Sequence, residues 1–221
     1  MGRSAFQGAQ GSDVSRIIDI SQPLDPGMAG FPGDAAYTET QTFRIGPNCP
    51  VNVAQVSLSV HCGTHADAPL HYAADGKPIG ALDLEPFVGP CRVIDAHGAG
   101  HLCEPPQIEK HLKDAPPRIL LRLTDGFDAH VWPTGFRALS AATIEMLASR
   151  GVRLVGIDTP SVDPETSKDL PAHNAALRAD MRILENLVLG HVAPGDYELI
   201  ALPLRFTNLD ASPVRAVLRT I

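Results

Sequence analysis

No apolar stretch in this sequence approaches the roughly 20 residues that a membrane-spanning helix needs, so no such helix is expected. Nor does any run of Lys or Arg form a stripe able to neutralise phosphates. With 18 basic against 25 acidic side chains the net charge is -7, and nucleic acid is not expected as a partner. Cysteine is scarce. Cys49, Cys62, Cys91 and Cys103 include no CxxC pair of the kind that builds structural zinc sites, and 4 cysteines in 221 residues are too few for a disulfide scaffold. Reduced thiols are expected, and Cys62 is assigned no role although it lies in a His-rich segment. Met1 to Ser15 lacks the apolar core of a signal peptide, so the reading is a cytoplasmic protein.

What the sequence does have is 19 glycines and 20 prolines, which implies short elements, a surface made of loops and no helical bundle. A hydrophobic content of 44% suits one globular domain. Residues 1–15 are rich in Gly, Ser, Gln and Ala without periodicity and read as a tail, leaving 16–221 as the domain. Strands are predicted at Arg16 to Ile20, Cys91 to Ala96, Arg118 to Thr124, Val152 to Asp158, Tyr197 to Leu202 and Val214 to Arg219, several as continuous apolar runs typical of buried strands. Val51 to His61 reads as a half-buried strand with Val56, Leu58 and Val60 on one face. A helix is predicted from Ser140, as N-cap, to Gly151, and a second helical stretch from Ala172 to Leu184. The fold class is therefore α/β, with a central sheet.

The chemistry concentrates in His61-Cys-Gly-Thr-His65-Ala-Asp67-Ala-Pro-Leu-His71. Imidazole and carboxylate are the donors that Zn²⁺ and its neighbours prefer, and the two oxygens of Asp67 could serve two ions. The even separations would send all four side chains to one face of an extended chain. Ten residues of straight strand, however, would span roughly 33 Å, far more than one metal centre allows. The chain must bend, and Gly63 and Pro69 stand where bending is needed. A solvated polar loop with accidental clustering is the competing reading.

A catalytic metal usually takes three protein donors, so further ligands are expected elsewhere. His97, His101, His111, His130 and His191 lie in polar, loop-like stretches and read as surface residues. His173 begins a helical stretch that ends at Glu185. On one unbroken helix these two would lie ~18 Å apart, so shared ligation requires the helix to end first.

Several strings resemble the metal-dependent cyclase-like hydrolases and, within them, the bacterial kynurenine formamidases (arylformamidases). They are Asp19-Ile-Ser-Gln-Pro-Leu, Phe31-Pro-Gly-Asp, Cys49-Pro-Val-Asn-Val, His61 to His71, Ala74-Asp-Gly-Lys-Pro-Ile-Gly, Gly156-Ile-Asp-Thr-Pro-Ser-Val-Asp-Pro and Leu209-Asp-Ala-Ser-Pro-Val-Arg-Ala-Val. The likeness runs from about Ile17 to the C-terminus. It implies that His61, His65 and Asp67 bind one metal, that Asp67 bridges to a second ion held by His173, and that Glu185 bridges both. His71 would be the general acid/base rather than a ligand. The resemblance further implies two Zn²⁺ ions, a homodimer, and a compact α/β fold with a mixed, barrel-like sheet flanked by short helices, of the swivelling β/β/α type. The implied reaction is hydrolysis of N-formyl-L-kynurenine to formate and L-kynurenine in tryptophan degradation. Phe31 departs from the family pattern, where the substrate-contacting residue is tryptophan; an aromatic face is kept and the indole N–H is lost.

Two other readings stand beside this one. A related hydrolase could open a cyclic amide or lactone such as isatin, and a non-enzymatic metal-binding protein could use the same donors for stability alone. Asp158, Ser161 and Asp163 read more readily as turn and cap residues than as site residues, and the same holds for Asp210 and Ser212.

Overall fold

The computed structural model describes residues 15–221, so the predicted tail lies outside the described residues except at Ser15. Nine strands form one mixed sheet. In chain order its members and the smaller strands are β1 (Ile17–Asp19), β2 (Thr38–Phe43), β3 (Val53–Ser57), β4 (His65–Asp67), β5 (Val88–Asp95), β6 (Leu102–Cys103), β7 (Arg118–Arg122), β8 (Ala138–Leu139), β9 (Leu154–Ile157), β10 (Arg182–Glu185), β11 (Gly195–Ile200), β12 (Ala211–Pro213) and β13 (Val217–Arg219). The helices are α1 (Pro105–Ile108), α2 (Ala141–Ser149) and α3 (Pro171–Arg178). The large sheet runs β1-β13-β11-β5-β7-β9-β10-β4-β12 and curls into a half-barrel. Its centre, β5-β7-β9-β10, is parallel, and the flanks are antiparallel.

Both faces of the centre are covered, which is why the apolar runs are continuous there. On β7, Ile119 and Leu121 pack with Ile144, Leu147 and Ala175 of the helices, while Leu120 packs with Phe87, Leu154 and Leu199 inside the curl. Gly156 on β9 lets the layers close. A Cβ there would sit 2.6 Å from Leu120 Cδ2 and 2.7 Å from Leu187 Cδ1, both buried, so Gly156→Ala should destabilise by about 1–3 kcal/mol through overpacking. Urea denaturation tests this, and an unchanged midpoint would show that the two leucines yield at no cost.

The predicted strands and the first helix are present, with boundaries shifted by a few residues. Ser140 caps α2 by accepting from the Thr143 amide at 3.2 Å, and Gly151 closes it at φ +81°. Two expectations fail. The Val51 to His61 segment is a strand only over β3, and every residue of β2 and β3 is exposed, since this ribbon pairs only with itself among the described residues. Alternation marks which faces a strand presents; it does not provide a layer to cover one. The helical stretch from Ala172 ends at Arg178, where Asp180 turns left-handed at φ +49° and the chain re-enters the sheet as β10. Pairing with β9 and β4 outweighs the helical spacing of Met181 and Leu184. No helix among the described residues is long and apolar enough to cross a membrane.

Candidate metal centre

β4 lies between β10 and β12, and its alternation puts His65 and Asp67 on one face. The antiparallel register sets Glu185 of β10 directly opposite His65. His61 and His71 are not on this strand. They reach it because the chain turns at Gly63, at φ +62° with Leu24 Cδ2 only 2.5 Å from where a Cβ would be, and again at Pro69, which opens a 3-10 turn through His71. The His61 and His71 ring centroids end 4.2 Å apart, so the predicted bend replaces the single extended face.

Asp67 is the hub. Its Oδ1 lies 3.2 Å from His61 Nδ1 and 3.3 Å from His65 Nε2, while Oδ2 lies 3.3 Å from His173 Nε2. Glu185 spans the same pair of histidines, with Oε2 3.4 Å from His65 Nε2 and Oε1 3.7 Å from His173 Nε2. His173 arrives on the first turn of α3, and because the helix stops early the geometric condition for His173 and Glu185 to share a centre is met. His71 also stands with His61 and Asp67 in a group able to hold an ion.

Each histidine of the cluster is held from behind by an acceptor. His65 donates Nδ1–H to the Gly63 carbonyl at 2.8 Å, His173 donates Nδ1–H to Asp163 at 2.7 Å, and His61 meets Asp210 through Nε2 at 3.0 Å. These bonds turn the remaining nitrogens, all lone-pair bearers in the neutral ring, toward the carboxylates Asp67 and Glu185. Acceptors facing acceptors require a cation between them. His65 Nε2 and Asp67 Oδ1 are buried without a hydrogen-bond partner, so the donor set fits a metal ion. Without one, protons must fill that role. Burial opposes the imidazolium of His65, yet the carboxylates of Asp67 and Glu185 beside it outweigh burial and push it up to about 10. Burial likewise opposes charge on His173, and Asp163 and Asp67 push it up to about 10. Burial would raise Asp67, but the histidines hold it well below the ordinary carboxylate value.

A cavity of about 620 Å³ opens over this cluster, lined by His61, His65, His71, His173 and Glu185 on one side. Phe31, Trp132 and Phe136 line the other. Phe31 and Trp132 meet edge to face at 5.5 Å, and Trp132 and Phe136 at 6.1 Å, making a corner of aromatic walls. Trp132 does not replace the missing indole donor at Phe31, because its N–H is given to Glu165 at 3.0 Å. The two loops that carry these rings are stitched by Ala29 N–H to the Ala129 carbonyl and by His130 to Asp25.

Trp132 and Phe136 were not singled out by sequence reasoning, although the chain's one tryptophan in a Gly/Pro-rich loop was an available signal. Asp163 and Asp210 also correct it. Asp163 does cap α3, accepting from the Ala172 and His173 amides, but the same carboxylate orients the His173 ring. Asp158 and Ser212 make hydrogen bonds to backbone groups. Asp158 accepts from the Leu123 amide and is pushed up to about 7 by burial, and Ser212 ties Leu204 to Pro213. Ser161 lines the cavity and accepts from the Asp163 amide. His101, His111, His130 and His191 are exposed, His97 is half-buried beside Asp95 and Asp125, and Cys62 is buried against Met28.

The family described as "Putative cyclase" matches residues 18–164. A kynurenine formamidase of Bordetella avium is 52% identical over 208 residues, covering 94% of this chain and 100% of the relative. Among solved structures, a predicted metal-dependent hydrolase from Bacillus stearothermophilus is 25% identical with a TM-score of 0.79, covering 93% of this chain and 98% of that one. The fold is shared as well by isatin hydrolase A from Ralstonia solanacearum, at 21% identity and a TM-score of 0.81 over 94% of this chain and 92% of that one. Identity at half the positions across nearly the full length, together with the family match over residues 18–164, shows that this chain is a hydrolase belonging to the cyclase family.

Proposed function

We propose that this hydrolase cleaves N-formyl-L-kynurenine to formate and L-kynurenine. Two Zn²⁺ ions would be held by His61, His65 and Asp67 on one side and by Asp67 and His173 on the other, with Glu185 joining both. The observation that carries the reading is Asp67, one buried carboxylate whose two oxygens face different histidines beside an aromatic cavity. The similarity to a relative named kynurenine formamidase supports the substrate.

Bound zinc would supply Lewis-acid polarisation of the formyl carbonyl and activation of water. The chain's own residues do the rest. Phe31 and Trp132 offer perpendicular aromatic faces on which the aniline ring can settle, fixing the formamide over the cluster. His71, in the cavity wall and 34% exposed, would take up the proton that the attacking water gives up and pass it to the anilide nitrogen, which would otherwise leave as a poor anion. Asp163 and the Gly63 carbonyl keep the rings of His173 and His65 from rotating. The enzyme is proposed to act in the cytoplasm as a homodimer, the latter testable by light scattering.

Incubation of zinc-loaded and chelator-stripped protein with N-formyl-L-kynurenine and, separately, with isatin tests the reading. Zinc-dependent turnover of the first substrate is expected. Turnover of isatin alone would move the assignment to cyclic amides, and no turnover of either would leave a metal-binding role. Trp132→Ala should raise KM for the formyl-anilide about 2- to 10-fold with little change in kcat, because stacking is worth about 0.5–1.5 kcal/mol and is felt equally by ground and transition states. An unchanged KM would remove Trp132 from the binding wall.

A further inference from the structure

Asp210 belongs to a string, Leu209-Asp-Ala-Ser-Pro-Val-Arg, that neither the proposed ligand set nor the proton carrier uses. Its carboxylate oxygen Oδ2 lies 3.0 Å from His61 Nε2 and 3.3 Å from His71 Nδ1, so one oxygen touches both rings. The backbone leaves it little choice of place. β12 pairs antiparallel with β4 in the register Ala211 opposite Asp67, and the Asp210 carbonyl accepts from the Ala68 amide at 2.8 Å. Asp210 is thereby fixed at the end of the strand that carries His65 and Asp67, just before the turn that carries His71. Ser212 stiffens the same segment by accepting from the Leu204 amide at 2.9 Å.

A carboxylate only accepts. Against Asp210, therefore, the neutral His71 ring must carry its proton on Nδ1, which leaves the lone pair on Nε2. An isolated neutral imidazole side chain favours the opposite tautomer, with the proton on Nε2, so His71 needs a partner to be a ready proton acceptor at that nitrogen. The arrangement also ties the His71 ring to His61, whose other nitrogen faces Asp67 at 3.2 Å.

We propose that Asp210 is a positioning residue, which holds His71 in its Nδ1–H tautomer and locks that ring against His61. Its kinetic part rests on the formamidase reading; its tautomer part does not. Asp210 has a side chain 38% exposed, so its truncation should leave the fold intact, which circular dichroism verifies.

The test uses zinc-loaded protein with ¹⁵N-labelled histidine at mildly alkaline pH, with the His71 signals assigned by their loss in His71→Ala. Wild type should show His71 protonated at Nδ1. Asp210→Ala should shift it toward the Nε2–H form, and Asp210→Asn, which keeps an acceptor oxygen, should retain the wild-type pattern. At saturating zinc, with metal content confirmed, Asp210→Ala should lower kcat for N-formyl-L-kynurenine about 10- to 100-fold while KM changes little. The Asn variant should recover most of that loss. In a His71→Ala background Asp210→Ala should slow turnover little further, because both changes remove one function. An unaltered His71 tautomer in Asp210→Ala, or equal slowing with and without His71, would overturn the proposal. A wild-type enzyme inactive on the formyl substrate but with the predicted tautomer would refute the substrate reading and leave Asp210's role standing.

Discussion

Asp67→Ala is expected to purify with only trace zinc and with turnover of N-formyl-L-kynurenine at the level of the buffer blank. The side chain is fully buried, and both of its oxygens lie within 3.3 Å of histidine nitrogens that face the same centre. Removing it takes one donor from each proposed ion at once, and it also takes away the negative charge that offsets two dications in a buried site. Glu185 cannot replace it, because both of its oxygens already face the same centre, Oε2 toward His65 and Oε1 toward His173, and are counted in the proposed ligand set. Elemental analysis gives the metal content directly. A second readout does not depend on activity: zinc should raise the thermal midpoint of wild type by mass action and should fail to raise that of the variant. A variant that binds as much zinc as wild type would show that Asp67 is not a ligand.

His71→Ala should give the contrary pairing, with zinc retained and kcat reduced about 10²- to 10⁴-fold, the usual range for a positioned acid/base. The distinction matters because His71 stands close enough to His61 and Asp67 to be counted with them as a possible ligand. Its position favours the proton-carrying role. His71 is 34% exposed at the cavity wall, whereas the side chains of His65 and His173 are 2% exposed behind it, and its Nδ1 is turned to Asp210 instead of to Asp67 or Glu185. Loss of zinc from His71→Ala would make it a ligand. Full turnover in a zinc-replete variant would leave it without a catalytic part.

Much of this site could be read from the chain because its chemistry is local. His61, His65, Asp67 and His71 fall within eleven positions, and Gly63 and Pro69 mark the two places where an extended chain had to fold back. The apolar runs of β5, β7 and β9 likewise declared a sheet covered on both faces. His173 and Glu185 entered through the family resemblance, and periodicity alone would have kept them apart on one helix. The left-handed turn at Asp180 separates them, and it is favoured because β10 gains partners on both sides.

The sequence by itself determined the donor chemistry, the bends that gather it and the class of fold, since each depends on residues close together along the chain. Only the tertiary structure decided what stands behind and across from those donors. Asp210 reaches His71 from 139 residues away through the pairing of β12 with β4, and Trp132 meets Phe31 because two loops dock. Asp163 serves both as helix cap and as holder of His173 because α3 is packed where its first turn faces the sheet. Strand register and loop docking are set by the burial of whole faces, and no local pattern of residues encodes which distant partner that burial brings alongside.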